Sequence, residues 1–92
     1  MHLTQQQKRH LRRLGHSLKP VVRTGANGLT PNVFHEIDQA LDDHELVKVK
    51  VAADDRDQRR ELMIRICHES EATLVQAMGN VLLLEIARVR YE

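Results

Sequence analysis

The residues of this sequence that are best suited to chemistry are cations, and they are concentrated at one end of the chain. Residues 1–35 contain six Lys and Arg side chains and no Asp or Glu. Residues 36–92 contain eight basic and thirteen acidic side chains, which reduces the overall net charge to +1. This asymmetry predicts one surface suited to a polyanion, with the rest of the molecule neutral to acidic. The cations of the first segment are Lys8, Arg9, Arg12, Arg13, Lys19 and Arg23.

A second chemical feature is the glycine-spaced loop formed by Gly25, Ala26, Asn27 and Gly28. It follows a predicted strand and precedes a predicted helix, whose N-terminal amides and dipole favour a phosphate. Glycines permit positive φ and remove side chains, so a nucleic-acid backbone can approach closely. KH domains hold single strands with a GxxG loop of this kind. We therefore predict that these four residues bind phosphate; a plain tight turn is the alternative.

Residues that could carry catalysis are scattered. Ser17 and Ser70 lie outside any nucleophile-elbow context. Cys67 falls on the apolar stripe of a predicted helix, and the carboxylates of Asp54, Asp55 and Asp57 suit helix capping. The histidines lack metal-ligand spacing, and no Lys-Ser or Lys-Thr pair follows the glycines. The sequence predicts a non-enzymatic protein with no cofactor, no metal and no small-molecule substrate.

Capping signals and helical spacing predict how the cations are positioned. Thr4 and Gln7 have the form of a capping box that opens a first helix, and Gly15 ends it. Within this helix the four cations form two basic rows at i,i+4 spacing, and three leucines at spacings of three and four form an apolar stripe that continues past its end. The rows are Lys8 with Arg12 and Arg9 with Arg13, and the leucines are Leu11, Leu14 and Leu18.

The rest of the chain predicts an α-β-α-β-α-β-β order. Residues 20–23 read as a short strand, and Thr30 with Pro31 begins a second helix. The clean alternation over 45–51 predicts a half-buried strand with its valines inward. Asp54 or Asp55 can cap a third helix, and Gly79-Asn80 predicts a hairpin between strands 73–78 and 81–87. We expect a compact α/β sandwich with a mixed four-stranded sheet.

Composition limits the class of protein and its style of binding. A chain of 92 residues with one cysteine and no long apolar run is predicted to be a single cytoplasmic domain with no membrane partner. Phe34 and Tyr91 are the only aromatic residues, and Phe34 is expected in the core. Because a stacking platform needs several aromatics, contacts to phosphate and sugar should dominate.

Four segments together resemble one known family. The segment from Lys19 to Thr30, KPVVRTGANGLT, is similar to the signature of the CRM domain (chloroplast RNA splicing and ribosome maturation) in its bacterial single-domain YhbY-like form. The segments LTQQQK, HELVKVK and VQAMG extend the resemblance over nearly the whole chain. The resemblance implies a fold similar to the C-terminal domain of bacterial translation initiation factor three. It also implies RNA binding through the GxxG loop and association with precursors of the large ribosomal subunit.

The sequence departs from the family pattern at two places. Some members carry a basic residue inside the loop, where this chain has Ala26. Backbone amides and the Asn27 side chain must then bind the phosphate, which predicts lower affinity per loop. The last strand has Glu85 and Ile86 where the family usually shows a Tyr-Arg-like ending. We therefore expect this strand to lie outside the RNA site.

The combined prediction is an RNA-binding ribosome-assembly factor whose partner is large-subunit rRNA or a pre-ribosomal particle. The loop clamps the RNA backbone and the six cations contact phosphates. Lys48 and Lys50 are secondary candidates, with a solvated sheet face as the alternative reading. Two other functions use the same features. One is a double-stranded DNA-binding module, and the other is a protein-interaction domain whose acidic residues 36–92 dock a basic ribosomal protein.

Overall fold

The computed structural model of the protein describes residues 3–86, which form three helices and four strands. The predicted order is confirmed. In the structure the last strand is described as far as Ile86, and Ala87, where it was predicted to end, lies outside the described residues. His2 and Tyr91 lie outside them as well. In chain order the elements are α1 (Gln5–Gly15), β1 (Pro20–Arg23), α2 (Pro31–His44), β2 (Leu46–Lys50), α3 (Arg56–Glu69), β3 (Ala72–Met78) and β4 (Val81–Ile86).

The four strands form one mixed sheet in the order β1-β2-β4-β3. β1 and β2 are parallel because α2 connects them as a crossover, whereas β4 is antiparallel to both of its neighbours. Lys50 at the end of β2 pairs with Val81 at the start of β4. The carboxyl ends of β1 and β2 therefore lie at the same edge of the sheet as the Gly79-Asn80 turn.

The main core lies between one face of the sheet and the helices α2 and α3. Ile37, Leu41 and Ile66 from these helices are fully buried against strand residues such as Val47 and Val49. The alternation predicted for β2 is thus confirmed, with its valines inward. We call this side of the sheet the core face, and the opposite side, covered by α1, the α1 face.

The predicted helix starts are also confirmed. In α1 the Thr4 N–H donates to Gln7 Oε1 at 2.8 Å, and the Gln7 N–H donates to Thr4 Oγ1 at 3.0 Å, which completes the capping box. α3 begins with Asp55, whose Oδ1 accepts from the Gln58 N–H at 2.8 Å. Caps of this kind each contribute about 1 kcal/mol to stability.

The predicted apolar stripe of α1 is wrong in part, because the residue of the helix that is buried against the sheet is a glycine. Leu14 and Leu18 are 51% and 37% exposed, whereas Gly15 is buried. A Cβ added at Gly15 would lie 2.6 Å from Leu83 Cδ2. Leu83 points to the α1 face since its neighbours in β4 belong to the main core. Because α1 approaches the sheet at this glycine, Leu14 is turned sideways and left in solvent.

Candidate nucleic-acid interface

The glycine loop is a tight turn that projects from the carboxyl end of β1. The Gly28 N–H donates to the Gly25 carbonyl at 3.0 Å, which closes the turn. Ala26 and Asn27 have negative φ, as in a type I turn, and Gly28 follows in the left-handed region with φ of 71°. Gly25, Ala26 and Asn27 are all exposed. The turn therefore presents its backbone to solvent with almost no side-chain cover.

The two glycines of this turn differ in what the fold demands of them. Gly28 has positive φ, so its conformation favours glycine whatever the ligand. Gly25 has no left-handed φ, and a Cβ added there meets no heavy atom within 4 Å. A larger residue at position 25 would fit the fold without strain. The plain-turn alternative thus accounts for Gly28 and leaves Gly25 unexplained, whereas close approach of a ligand accounts for both.

Thr24 anchors the turn to the neighbouring strand ends, a role that the sequence did not reveal. Its N–H donates to the Lys50 carbonyl at 2.9 Å, and its buried Oγ1 accepts from the Ala52 N–H at 2.7 Å. The next segment is held in turn by Asn80, whose carbonyl accepts from Val51. The base of the turn is therefore bonded to β2 and its continuation, which keeps the exposed glycine backbone in place.

The start of α2 offers a phosphate fewer free amides than the sequence pattern suggested. Leu29 and Thr30 separate the turn from the helix. Pro31 has no N–H, and the Val33 N–H is donated to Thr30 Oγ1 at 3.3 Å. The positive end of the helix dipole still faces this region. Binding by the loop must then depend mainly on the exposed backbone of the turn itself.

Three cations lie on the α1 face close to the turn. Arg23 and Lys50 are register partners at the ends of β1 and β2, and both are exposed. Each follows a buried valine of the core face, so both side chains rise from the α1 face. Lys48 lies on the same face, half-buried and paired with Pro20, and the exposed Lys19 directly precedes that proline. The structure thus brings the secondary candidates Lys48 and Lys50 together with Arg23.

The cations of α1 lie on the same side of the sheet but farther from the glycine turn. Lys8 and Arg12 are half-buried on the same side as Gly15, whereas Arg9 and Arg13 are exposed. The first turn of α1 and Glu85 line one depression. Glu85 pairs with Leu46 at the start of β2, whereas Lys50 lies at the end of that strand. Four residues of strand separate Glu85 from Val81, or roughly 13 Å. The structure does not bring Lys8 and Arg9 to the turn, and only an elongated ligand would contact all of these cations.

Other groups that could carry chemistry are occupied in packing. Burial raises the pKa of the half-buried Cys67 thiol, which suppresses the reactive thiolate. Phe34 packs against the core, with the guanidinium of Arg65 at 5.4 Å from its ring centroid. Within residues 3–86, no cluster of His, Cys, Asp and Glu could hold a metal ion. None of the described helices is long and apolar enough to cross a membrane.

The fold and this surface define a small α/β domain that combines an exposed glycine turn with a basic sheet face. The chain matches the CRS1 / YhbY (CRM) domain over residues 3–84, and it belongs to that family. The resemblance noted in the sequence is thereby confirmed.

The chain is similar to bacterial proteins over most of their length. The chain is 48% identical over 84 residues to the probable RNA-binding protein PA4753 of Pseudomonas aeruginosa, covering 91% of this chain and 81% of that protein. It is 46% identical to an RNA-binding protein of Haemophilus influenzae, covering 89% and 83% of the two chains. The solution structure of SAV1595 from Staphylococcus aureus, described as a candidate RNA-binding protein, superposes with a TM-score of 0.82. It is 31% identical, and the match covers 99% of this chain and 95% of that one.

Proposed function

We propose that this protein binds RNA with the α1 face and the Gly25–Gly28 turn. The observation that carries the proposal is Gly25, which is a glycine although neither its φ nor its surroundings require one. Close approach of an RNA backbone supplies the missing reason. The names of the relatives support RNA as the ligand. The absence of any carboxylate from residues 1–35 supports a polyanion.

In the proposed mechanism, both backbone groups of the turn and cationic side chains contact RNA phosphates. The turn places exposed main chain against one phosphate, with the side chain of Asn27 beside it. Arg23, Lys48 and Lys50 neutralise phosphates next to the turn, and Lys19 and the α1 cations extend this contact along the face. Such contacts fix the position of an RNA strand without reading its sequence.

We further propose that the RNA is part of a large-subunit ribosomal precursor and that the protein acts in the cytoplasm as an assembly factor. The family resemblance supports this proposal. Crosslinking in cells, followed by sequencing of the attached RNA, tests it. Reads concentrated in large-subunit rRNA are expected, whereas reads spread evenly over messenger RNA would contradict the assembly role.

The binding site itself is tested by Gly25→Asp. The aspartate places a negative charge where the phosphate would lie, at a position where the fold has room for it. We expect an unchanged melting temperature and RNA affinity at least about tenfold weaker, or roughly 1.4 kcal/mol. Gln39→Asp, on the exposed surface of α2, changes the net charge equally and should leave affinity within twofold. Equal binding by Gly25→Asp and Gln39→Asp would overturn the assignment of the turn.

A further inference from the structure

The α1 face contains a groove whose apolar lining comes mostly from side chains outside the core. It lies between the carboxyl end of α1 and the uncovered parts of β1 and β2, with a volume of about 580 Å³. Leu14, Val21 and Leu46 supply most of its apolar lining together with Leu18, and Lys19, His44 and the core residue Val47 complete its wall. This volume lies within the range of ligand pockets in proteins, about 300–1,000 Å³.

The groove results from the way in which α1 is held. α1 contacts β2 and β3 and packs Gly15 against Leu83 of β4, which leaves β1 and the adjoining part of β2 uncovered. Leu14 and Val21 are consequently 51% and 52% exposed. Single exposed apolar residues are ordinary, whereas here several of them share one groove.

We propose that this groove binds unpaired nucleobases of the same RNA whose phosphates contact the surrounding cations. The inference rests on the proposed function and deepens it by naming the class of RNA. Charge complementarity favours RNA as the occupant. Lys19 lies in the groove wall, Lys48 follows Leu46 by two residues on the same face, and Arg23 follows Val21 in the same way. No carboxylate is among the described residues that line the groove.

Single-stranded RNA suits this combination because it carries anionic phosphates and flat, largely apolar base faces in one chain. Duplex RNA hides those faces in its stack. Apolar side chains can hold an unstacked base as aromatic ones do. The low aromatic content of the sequence therefore limits the strength of base contacts without excluding them, and the groove adds a preference for single-stranded segments.

The double variant Leu14→Ser/Val21→Thr tests the proposal. Both residues are half-exposed, and threonine keeps the β-branched shape of valine, so the fold should persist. The affinities of wild type and variant are measured for a short single-stranded RNA and for a duplex RNA of equal length. Loss of base contact should weaken single-strand binding about tenfold, in line with base-stacking energies, and leave duplex binding within about twofold. Ile64→Ser is the matched control, since Ile64 is 59% exposed on α3 across the sheet, and it should change neither affinity.

The outcomes separate this inference from the proposed function. If wild type binds neither RNA, both proposals fail. If it binds RNA but the double variant loses single-strand and duplex affinity equally, or loses neither, only the groove assignment fails. Sedimentation velocity on the same samples adds one more check. A wild-type dimer that dissociates in the double variant would assign the groove to a second copy of the chain and overturn the nucleobase proposal.

Discussion

The two faces of the sheet differ both in how they are packed and in the charge they carry. On the core face, α2 and α3 bury Ile37, Leu41 and Ile66 completely. On the α1 face, Gly15 of the helix packs against Leu83, and apolar side chains beside it remain in solvent. α2 carries four carboxylates and no Lys or Arg, whereas α1 carries four cations and no carboxylate. Most of the buried core and the proposed binding surface therefore lie on opposite faces, so exposed cations of the α1 face can be altered with little effect on stability.

The largest expected effect is that of salt on RNA affinity, which should depend on cations of the α1 face and not on those of α3. If about four to six phosphates are neutralised, the slope of log K against log salt for single-stranded RNA should be about −3 to −4. Raising salt fourfold would then lower affinity by roughly 10²-fold. The double variant Arg23→Gln/Lys50→Gln should reduce the magnitude of this slope by about 1.4, since two phosphate contacts are lost. Fluorescence titrations at several salt concentrations measure the slope.

The control for this prediction removes two cations from the other side of the molecule. Arg56 and Arg60 are exposed on α3, so Arg56→Gln/Arg60→Gln changes the net charge by the same amount. Its slope should equal that of wild type. A wild-type slope near zero, or an equal change in both double variants, would show that RNA is not bound through the phosphates of the α1 face.

The next largest effect is expected for the free energy of unfolding of Gly15→Ala. Its sign shows whether helix propensity or packing against the sheet dominates at this position. Helix propensity alone predicts that alanine stabilises the helix by about 1 kcal/mol. The structure predicts the opposite, because the new Cβ would lie 2.6 Å from a methyl group of the buried Leu83. Overpacking of this kind costs about 1–3 kcal/mol. Urea unfolding of wild type and variant gives the free energy directly.

A second substitution tests whether Leu83 is the cause. Leu83→Val removes the δ-methyl groups that the alanine would contact, so it should recover part of the loss when combined with Gly15→Ala. The free energies of the two single variants should then not add in the double variant. Strict additivity, or a more stable Gly15→Ala protein, would mean that α1 does not approach the sheet as closely as described.

The smallest effect is expected from Ala26→Lys. Ala26 is exposed at the tip of the turn with negative φ, so lysine should fit without loss of stability. An added cation beside the bound phosphate should strengthen RNA binding at low salt by roughly two- to fivefold, on the order of one screened ion pair. Gln39→Lys on α2 adds the same charge away from the turn, and the two variants are compared in one titration. A gain no larger than that of the α2 variant would indicate that the tip does not face phosphate.

The parts of this fold that were predicted correctly depend on neighbours in the chain. The capping box of Thr4 and Gln7, the Thr30 cap with Pro31, and the alternation of valines in β2 are all patterns within a few residues. The hairpin at Gly79-Asn80 is local in the same sense. For these elements, backbone hydrogen bonding and the spacing of side chains allow few alternative conformations, so the local sequence predicts the structure.

The errors and omissions came from contacts between distant residues. The leucines of α1 have good helical spacing, yet the side that faces the sheet is set by Gly15 meeting Leu83 in the last described strand. Thr24 binds Ala52, 28 residues along the chain, and no local pattern signals that bond. The groove lined by Leu14, Val21 and Leu46 follows from the same helix placement.

The sequence by itself determined the order of elements, the cations of α1 and the position of the glycine turn, because short-range geometry and residue type suffice for each. Only the tertiary structure decided which cations share a face with the turn and why two glycines in that turn are not equivalent. Gly28 is favoured by its positive φ, which is a local backbone property. Whether a side chain would fit at Gly25 depends on the surrounding space. Space around a residue is set by every element that packs near it, and a one-dimensional pattern contains no measure of it.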